Sequence, residues 1–384
     1  MIDLELTAEQ LLAYETAQRL AKQVAPDPRV TWADAGEFSW AFLELLAQHG
    51  LTGVALPEAQ GGQGLTLIDA VLVIMAVGSV APHLADVVHS TNFGAIQQIS
   101  AFANDTVVDE VLREMLGGRA LASIAMSEPG AGSAVSSLRT RAEVRGKDVH
   151  VTGQKVFNTN GPYATHYVVW ARFREGKDGI GAVIVPADAS GFSRGKTERF
   201  ISGEPYCSLY FDDAAVPSSY VLLDRDGLRR MISVFNVERL GNASRSVALG
   251  ELALRLATDY VLNRETGGTR LADHQGLQWM LADARMQLDA SKLLIYRAAT
   301  EMKDGQLDPL NVAVAKCFAN EAGFKAADTA LQLFGGYGYT TDYPIEYLWK
   351  RTRGWLIAGG STQILRNRIA SELLKRHIRG SRSA

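Results

Sequence analysis

The chain has 384 residues, 47% of them apolar and 21% charged, with a formal net charge of −3. This is the make-up of a soluble globular protein large enough for two or three domains, without the basic excess that nucleic acid or an anionic membrane would attract. Its longest apolar run, Ala70 to Val77, is too short to span a bilayer, so no membrane insertion is expected.

Two cysteines, Cys207 and Cys317, lie far apart without metal-ligand spacing and read as buried free thiols rather than as a disulfide or zinc site. The opening MIDLELTAEQ is acidic and lacks the charged-then-apolar pattern of an export signal, so a cytoplasmic location is expected.

Thr7-Ala8-Glu9-Gln10 has an N-cap and a capping-box partner at the spacing of a helix start. Apolar residues follow at helical intervals through Ala13, Ala17, Leu20 and Val24. Trp40 to His49 is a second helical segment, stopped by Gly50. Leu56 to Gly64 is punctuated too densely by glycine and proline for regular structure. Leu65 to Val80 and Asp105 to Leu116 read as helices, so residues 1–120 form an N-terminal α-helical domain.

At Ser123 the pattern changes. Period-2 segments run Thr140 to Val144, Val149 to Val151, Tyr167 to Ala171, Gly181 to Pro186 and Cys207 to Phe211, with Gly146-Lys147-Asp148 as a hairpin turn. Residues 121–225 are therefore expected to form a middle β domain, a sandwich or barrel. Leu228 to Asn263, Leu271 to Asp304 and Pro309 to Phe334 have the lengths and short connections of an antiparallel bundle, which makes residues 226–384 a C-terminal four-helix bundle. The fold class expected is α+β multidomain.

Two glycine-rich turns near the end organise the site. Gln332, Gly335, Gly336, Gly338 and Tyr339 lead into Asp342-Tyr343-Pro344, and Gly359-Gly360-Ser361-Thr362-Gln363 follows a charged helical run. Glycines at both turns permit positive φ and let backbone N–H groups approach a ligand closely. With Ala125-Met126-Ser127-Glu128-Pro129-Gly130-Ala131-Gly132-Ser133, this pattern resembles the signatures of the acyl-CoA dehydrogenase family of flavoproteins. The α, β, α order over essentially the whole chain is similar too.

The resemblance implies FAD as cofactor and assigns roles by position. Met126 and Ser127 contact the flavin, and Ser133 reaches the substrate's pantetheine arm; Ala134 stands where the family usually has Asp. In Gln154-Lys155-Val156-Phe157-Asn158-Thr159-Asn160-Gly161, Phe157 covers a flavin face in place of the usual Trp, and Thr159 hydrogen-bonds the reactive ring nitrogen. Arg264, Thr266 and Gln275 reach a neighbouring subunit's cofactor, with Gly267-Gly268 replacing the usual Phe-Gly. Arg264 offers a fork of donors suited to pyrophosphate. Gln332, Gly335, Gly336, Ser361 and Gln363 are further cofactor contacts. A homo-oligomer, tetramer or dimer, follows from a cofactor shared between subunits.

One feature of the family is missing. Its catalytic glutamate usually precedes the second turn, where this chain has Gly359, which cannot abstract a proton. The replacement expected is Glu238, which shares a helical face with Met231, Val234 and Phe235. Isovaleryl-CoA dehydrogenase and its relatives resemble this chain in pairing a small residue before the last turn with Glu-Arg on this helix. Asn236, Arg239 and Gly360, with Ser133, are the substrate contacts carried over. Lys350-Arg351 replaces the usual Arg-Asp.

The activity implied is α,β-dehydrogenation of an acyl-CoA or carrier-protein thioester, with an electron-transferring flavoprotein or oxygen as acceptor. Two other readings stay open: a flavin oxidase, desulfinase or monooxygenase on the same fold, and a catalytically silent subunit of a hetero-oligomer. Bound flavin that no thioester reduces would support the silent subunit, and hydroxylation or oxygen consumption with an external reductant the monooxygenase; the bland reading of Glu238 itself is a surface pair with a nearby arginine.

Overall fold

The computed structural model describes residues 6–27, 30–31, 36–303 and 306–374. In chain order among the described residues, helices α1 (Ala8–Val24), α2 (Trp40–Gln48), α3 (Leu67–Gly78), α4 (Ala85–Asn92) and α5 (Ala95–Phe102) precede α6, which covers residues 105–116 and is π-helical over Val108–Leu112. Strands follow from β1 (Ala122–Ala125) to β9 (Val221–Leu223). The chain then returns to helix: α7 (Gly227–Asn263), α8 (Gln275–Thr300), α9 (Pro309–Phe334), α10 (Ile345–Trp355) and α11 (Thr362–Leu373). The helical, β and helical parts are those expected. Asp304, the expected end of the second bundle helix, lies outside the described residues, and α8 itself stops at Thr300.

Two compact units divide the chain, with their boundary inside α7 between Glu238 and Arg239. The first gathers the described residues up to Gly36, Leu67–Asp86 and Arg239–Leu374. Here α1 opens with the full capping box: Gln10 N donates to Thr7 Oγ1 at 3.2 Å, and Thr7 N donates to Gln10 Oε1 at 3.1 Å. It packs on α3, with Gln10 Nε2 donating to Asp69 Oδ1 at 3.0 Å.

Helix α9 is the spine of this unit, touching α8, α10 and α11. Asp308 caps it and Pro309 occupies its first turn, where a missing N–H costs nothing. Its buried face is rich in alanine, and at Gly323 the backbone of α7 comes so close that a Cβ would lie 2.3 Å from the Ser246 carbonyl oxygen.

The second unit, Glu37–Thr66 and Val87–Glu238, holds a nine-stranded sheet in the order β6 (Phe192–Arg194), β8 (Pro205–Pro217), β3 (Asp148–Thr159), β2 (Arg141–Arg145), β4 (His166–Arg172), β5 (Ile180–Pro186) and β9, with β1 also on β4 and β7 (Glu198–Arg199) on β8. Its main ladders are antiparallel, β3 (Asp148–Thr159) with β8 (Pro205–Pro217) and β4 (His166–Arg172) with β5 (Ile180–Pro186). Val168, Trp170, Ala182 and Ile184 bury one face against Ile96, Ile99, Val111 and Met115 of α5 and α6. Trp170 Nε1 donates to Gln98 Oε1 at 3.1 Å, satisfying the indole inside that core.

Candidate active site

In the second unit, the loop after β1 is held from behind. Glu128 and Ala131 exchange backbone hydrogen bonds, a tight turn that leaves Pro129, Gly130 and Ser133 exposed while Met126 and Ser127 are half-buried. The Glu128 carboxylate is buried and accepts from Arg139 N at 2.6 Å, Thr140 N at 2.9 Å and Lys155 Nζ at 2.8 Å. Lys155, fully buried, also donates to the Met126 carbonyl at 3.1 Å, and Val156 N donates to the Ser127 carbonyl at 2.9 Å. Burial pushes the Glu128 carboxyl up, but the Lys155 charge and these hydrogen bonds outweigh it and hold the group below its ordinary value. Lys155 is pulled down to about 8, because burial exceeds the support from Glu128.

Strand β3 ends in a bulge. Lys155 pairs with Leu209 and Asn158 with Cys207, so β3 carries one residue more than β8 across that interval. Phe157 takes up the difference in the left-handed region, φ 57°, and its ring is turned outward, 61% exposed. It is not a core aromatic. Its ring centroid lies 5.7 Å from that of Tyr206, which stacks in turn on Phe200. Asn158 is buried and donates to the Cys207 carbonyl at 3.0 Å, whereas Thr159 is exposed beside Phe157.

Glu238 lies on the buried side of α7, where Met231 and Phe235 are also buried. Its side chain is 13% exposed and its Oε1 stands 3.6 Å from Nε2 of His89, so it is no surface carboxylate. Asn236, expected as a substrate contact, is itself 1% exposed.

In the first unit the second glycine turn runs from the end of α10 to Ser361. Gly359 and Gly360 both have positive φ, 69° and 90°. Arg239, the residue after Glu238, donates from Nε to the Gly359 carbonyl at 3.1 Å. Ser361 caps α11, its Oγ accepting from Ile364 N at 3.4 Å, and Gln363 is exposed.

A cleft of ≈ 530 Å³ is lined by Tyr260, Arg264, Thr266, Gly335, Gly336 and Tyr337, among others. The Arg264 guanidinium lies over the Tyr337 ring, 5.5 Å from its centroid. A Cβ built on Gly335 or Gly336 meets nothing within 4 Å, so the cleft wall is open backbone. The hairpin of β10 (Glu265–Thr266) and β11 (Thr269–Arg270) beside it turns through Gly267 and Gly268, at φ 57° and 80°, which explains a glycine at both positions. Gln275, at the start of α8, and Gln332, three residues before Gly335, are exposed.

Three models of the acyl-CoA dehydrogenase family match in order: the N-terminal domain over residues 7–119, the middle domain over 123–214 and the C-terminal domain over 225–374. A 3-sulfinopropanoyl-CoA desulfinase of Paraburkholderia xenovorans (strain LB400) is 35% identical across 99% of this chain and all of its own length. An acyl-CoA dehydrogenase of Bacillus subtilis (strain 168) is 31% identical, covering 97% of this chain and 99% of its own. The chain belongs to the acyl-CoA dehydrogenase family. The solved butyryl-CoA dehydrogenase of Megasphaera elsdenii superposes with a TM-score of 0.91 at 26% identity, covering 97% of this chain and all of that one.

Acyl-CoA dehydrogenases are FAD flavoproteins and oxidoreductases, and the donor chemistry here fits that cofactor. Arg264 and Thr266 beside the open Gly335-Gly336 backbone suit a pyrophosphate. The exposed Phe157 ring with the Thr159 and Ser127 hydroxyls suits a flat ring with a polar edge.

Buried charges also cluster in the first unit, around Asp86. Arg351, at the position where an acid is usual, donates from Nη2 to Asp86 Oδ1 at 2.7 Å, and Arg245 binds the same oxygen. Both guanidinium groups stack over Trp355, at 4.5 and 5.0 Å. Sequence reasoning missed Asp86, His89, Arg245 and the Lys155–Glu128 pair. Their partners are too distant in the chain for any local spacing to reveal them.

Proposed function

We propose that this protein oxidises an acyl-CoA thioester between its α and β carbons, with Glu238 removing the α-proton. The observation that carries this reading is Glu238 itself. It is an acid with a side chain only 13% exposed, on a helix face it shares with Met231, Val234 and Phe235, in a chain that has glycine at the family's usual base position. Burying a carboxylate is costly, so a fold keeps one for function or for a partner.

FAD, when bound, supplies the hydride acceptor. Arg264, Thr266, Gln275, Gln332, Gly335, Gly336, Ser361 and Gln363 hold it, with Arg264 on the pyrophosphate of a neighbouring copy's cofactor, so the chain works as a homo-oligomer. Met126, Ser127, Phe157 and Thr159 orient the flavin ring, and Phe157 excludes water from one face. Ser133, Arg239 and Gly360 bind the thioester and its pantetheine arm, a handle that CoA and a carrier protein share, while Asn236, buried in α7, has no surface to offer it. Backbone N–H groups of the Gly359-Gly360 turn polarise the thioester carbonyl, which acidifies the α-proton and stabilises the enolate-like charge as Glu238 takes it. An electron-transferring flavoprotein or oxygen would serve as the final acceptor.

The test is an anaerobic absorbance titration of the FAD-loaded protein with a panel of acyl thioesters, beside Glu238→Gln. Bleaching of oxidised flavin in the wild type alone is the expected result, and equal bleaching of both removes Glu238 as base. A second reading, desulfination, has support from the desulfinase relative. Sulfite release from 3-sulfinopropanoyl-CoA without lasting flavin reduction would favour it.

A further inference from the structure

Lys316 is a lysine in the middle of α9 with no exposed surface. Its Nζ donates to three carbonyls, those of Ala358 at 2.8 Å, Gly360 at 3.0 Å and Trp355 at 3.2 Å. Asn320, one turn further along α9, donates to the Trp355 carbonyl at 2.7 Å. The ammonium therefore stands at the C-terminal end of α10 and inside the glycine turn that follows. The helix end is the negative end of its dipole, which offsets part of the cost of burying the charge. A methionine would fill a similar space without that cost. Packing alone does not account for a lysine here.

What the ammonium does to the turn follows from peptide geometry. In a planar trans peptide the C=O and the next N–H point in opposite directions. Lys316 draws in the carbonyls of Ala358 and Gly360, and Arg239 draws in the carbonyl of Gly359 between them. The N–H groups of Gly359, Gly360 and Ser361 are thereby each turned away from the cation that holds the paired carbonyl. None of the three donates to a backbone carbonyl among the described residues. Gly359 and Gly360 tolerate this because both sit at positive φ. A cation on the oxygen also polarises its peptide and strengthens the N–H as a donor.

We infer that Lys316 is a positioning residue, which with Arg239 aims the Gly359-Gly360-Ser361 N–H groups at the thioester carbonyl. The inference rests on the thioester reading above and deepens it. Lys316 touches neither substrate nor flavin; it acts through the turn.

The experiment uses FAD-loaded protein and a 3-arylacryloyl-CoA, a chromophoric thioester that is already unsaturated and cannot be oxidised. Carbonyl polarisation appears as a red shift of its absorbance on binding, independent of any base. The wild type is expected to shift the band. Lys316→Met is expected to lose more than half of that shift while keeping the wild-type flavin-to-protein ratio. With an oxidisable thioester, kcat should fall about 10- to 100-fold while KM stays within about threefold. A full red shift and wild-type kcat in Lys316→Met overturn the inference, as does a wild type that binds the chromophore without any shift. A wild type that does not bind it overturns the thioester reading, and this inference with it. Should Lys316→Met fail to fold, Lys316→Gln, which keeps a polar end but removes the cation, carries the same test: a reduced shift supports the inference and a full one overturns it.

Discussion

Glu238 Oε1 and His89 Nε2 face each other across 3.6 Å, with 13% and 11% of their side chains exposed. That separation is beyond a hydrogen bond but well within reach of a charge. A carboxylate kept this dry for a reaction should cost stability rather than supply it. Glu238→Gln, which keeps the shape and removes the charge, is expected to leave the unfolding free energy within about 1 kcal/mol of wild type or to raise it. Thioester-driven flavin reduction should fall about 10²- to 10⁴-fold, the range of a lost general base. Stopped-flow absorbance and chemical denaturation measure the two quantities on one preparation. A large loss of stability with modest kinetic change would make Glu238 a structural residue.

The Lys155–Glu128 pair gives a prediction at both ends of the pH scale. Lys155 titrates at about 8 in the fold against an ordinary 10.5. Between those values the native state has released a proton that the unfolded chain still holds, so this group makes stability rise with pH there. Glu128 is depressed below 4.5, so its contribution is present above that value and is lost as pH falls through the folded one. Urea midpoints across pH 8 to 10 should show a rising contribution in the wild type that is absent in Lys155→Met. Glu128→Gln, which strands the buried ammonium, should cost about 3–5 kcal/mol near neutral pH. It should also loosen flavin binding, since Lys155 holds the Met126 carbonyl as well.

Arg264 is exposed and lines the cleft beside Gly335 and Gly336, so its loss should not disturb the fold. Arg264→Met is expected to weaken FAD binding about 10- to 100-fold, the worth of one or two charge-assisted hydrogen bonds. Riboflavin has no pyrophosphate, and its affinity should be unchanged. Fluorescence titration of the apoprotein with each flavin separates these outcomes. An equal loss for both would place Arg264 away from the phosphates.

How much of this was legible in the chain depended on how local the signal was. Helix α9 was readable to the residue, because Asp308, Pro309 and Gly335 mark its ends by backbone chemistry alone. Strands β3 and β8 run longer than their alternation implied, because the bulges at Val151/Gly153 and Lys155/Asn158 break the period-2 pattern. Helices α4 and α5 were not read as elements. His89, Ser90, Thr91 and Asn92 look like loop residues, yet all four are buried, and Asn92 alone donates to the carbonyls of Leu51 and Val88. Lys316 is the extreme case: a lysine in an alanine-rich helix is ordinarily solvated, and its acceptors lie 39 to 44 residues away. Glu238 was legible as a candidate because a second position, Gly359, had visibly lost its acid.

Asp86 offers a last test, of a charge cluster whose members are scattered over the sequence. The carboxylate is 3% exposed and serves both Arg245 and Arg351, whose guanidinium groups lie over Trp355. Asp86→Asn leaves two buried cations facing a neutral amide, and the expected cost is about 3–5 kcal/mol. Arg351→Met in that background removes one of the stranded charges, so the double variant should be more stable than Asp86→Asn alone. Such non-additivity is the signature of direct coupling rather than of two independent lesions. Because α10 ends at Trp355, whose carbonyl Lys316 and Asn320 hold, Asp86→Asn should also blunt the red shift of the bound chromophore. Equal stabilities for the single and double variants would mean that Arg351 is held by packing on Trp355 and not by Asp86.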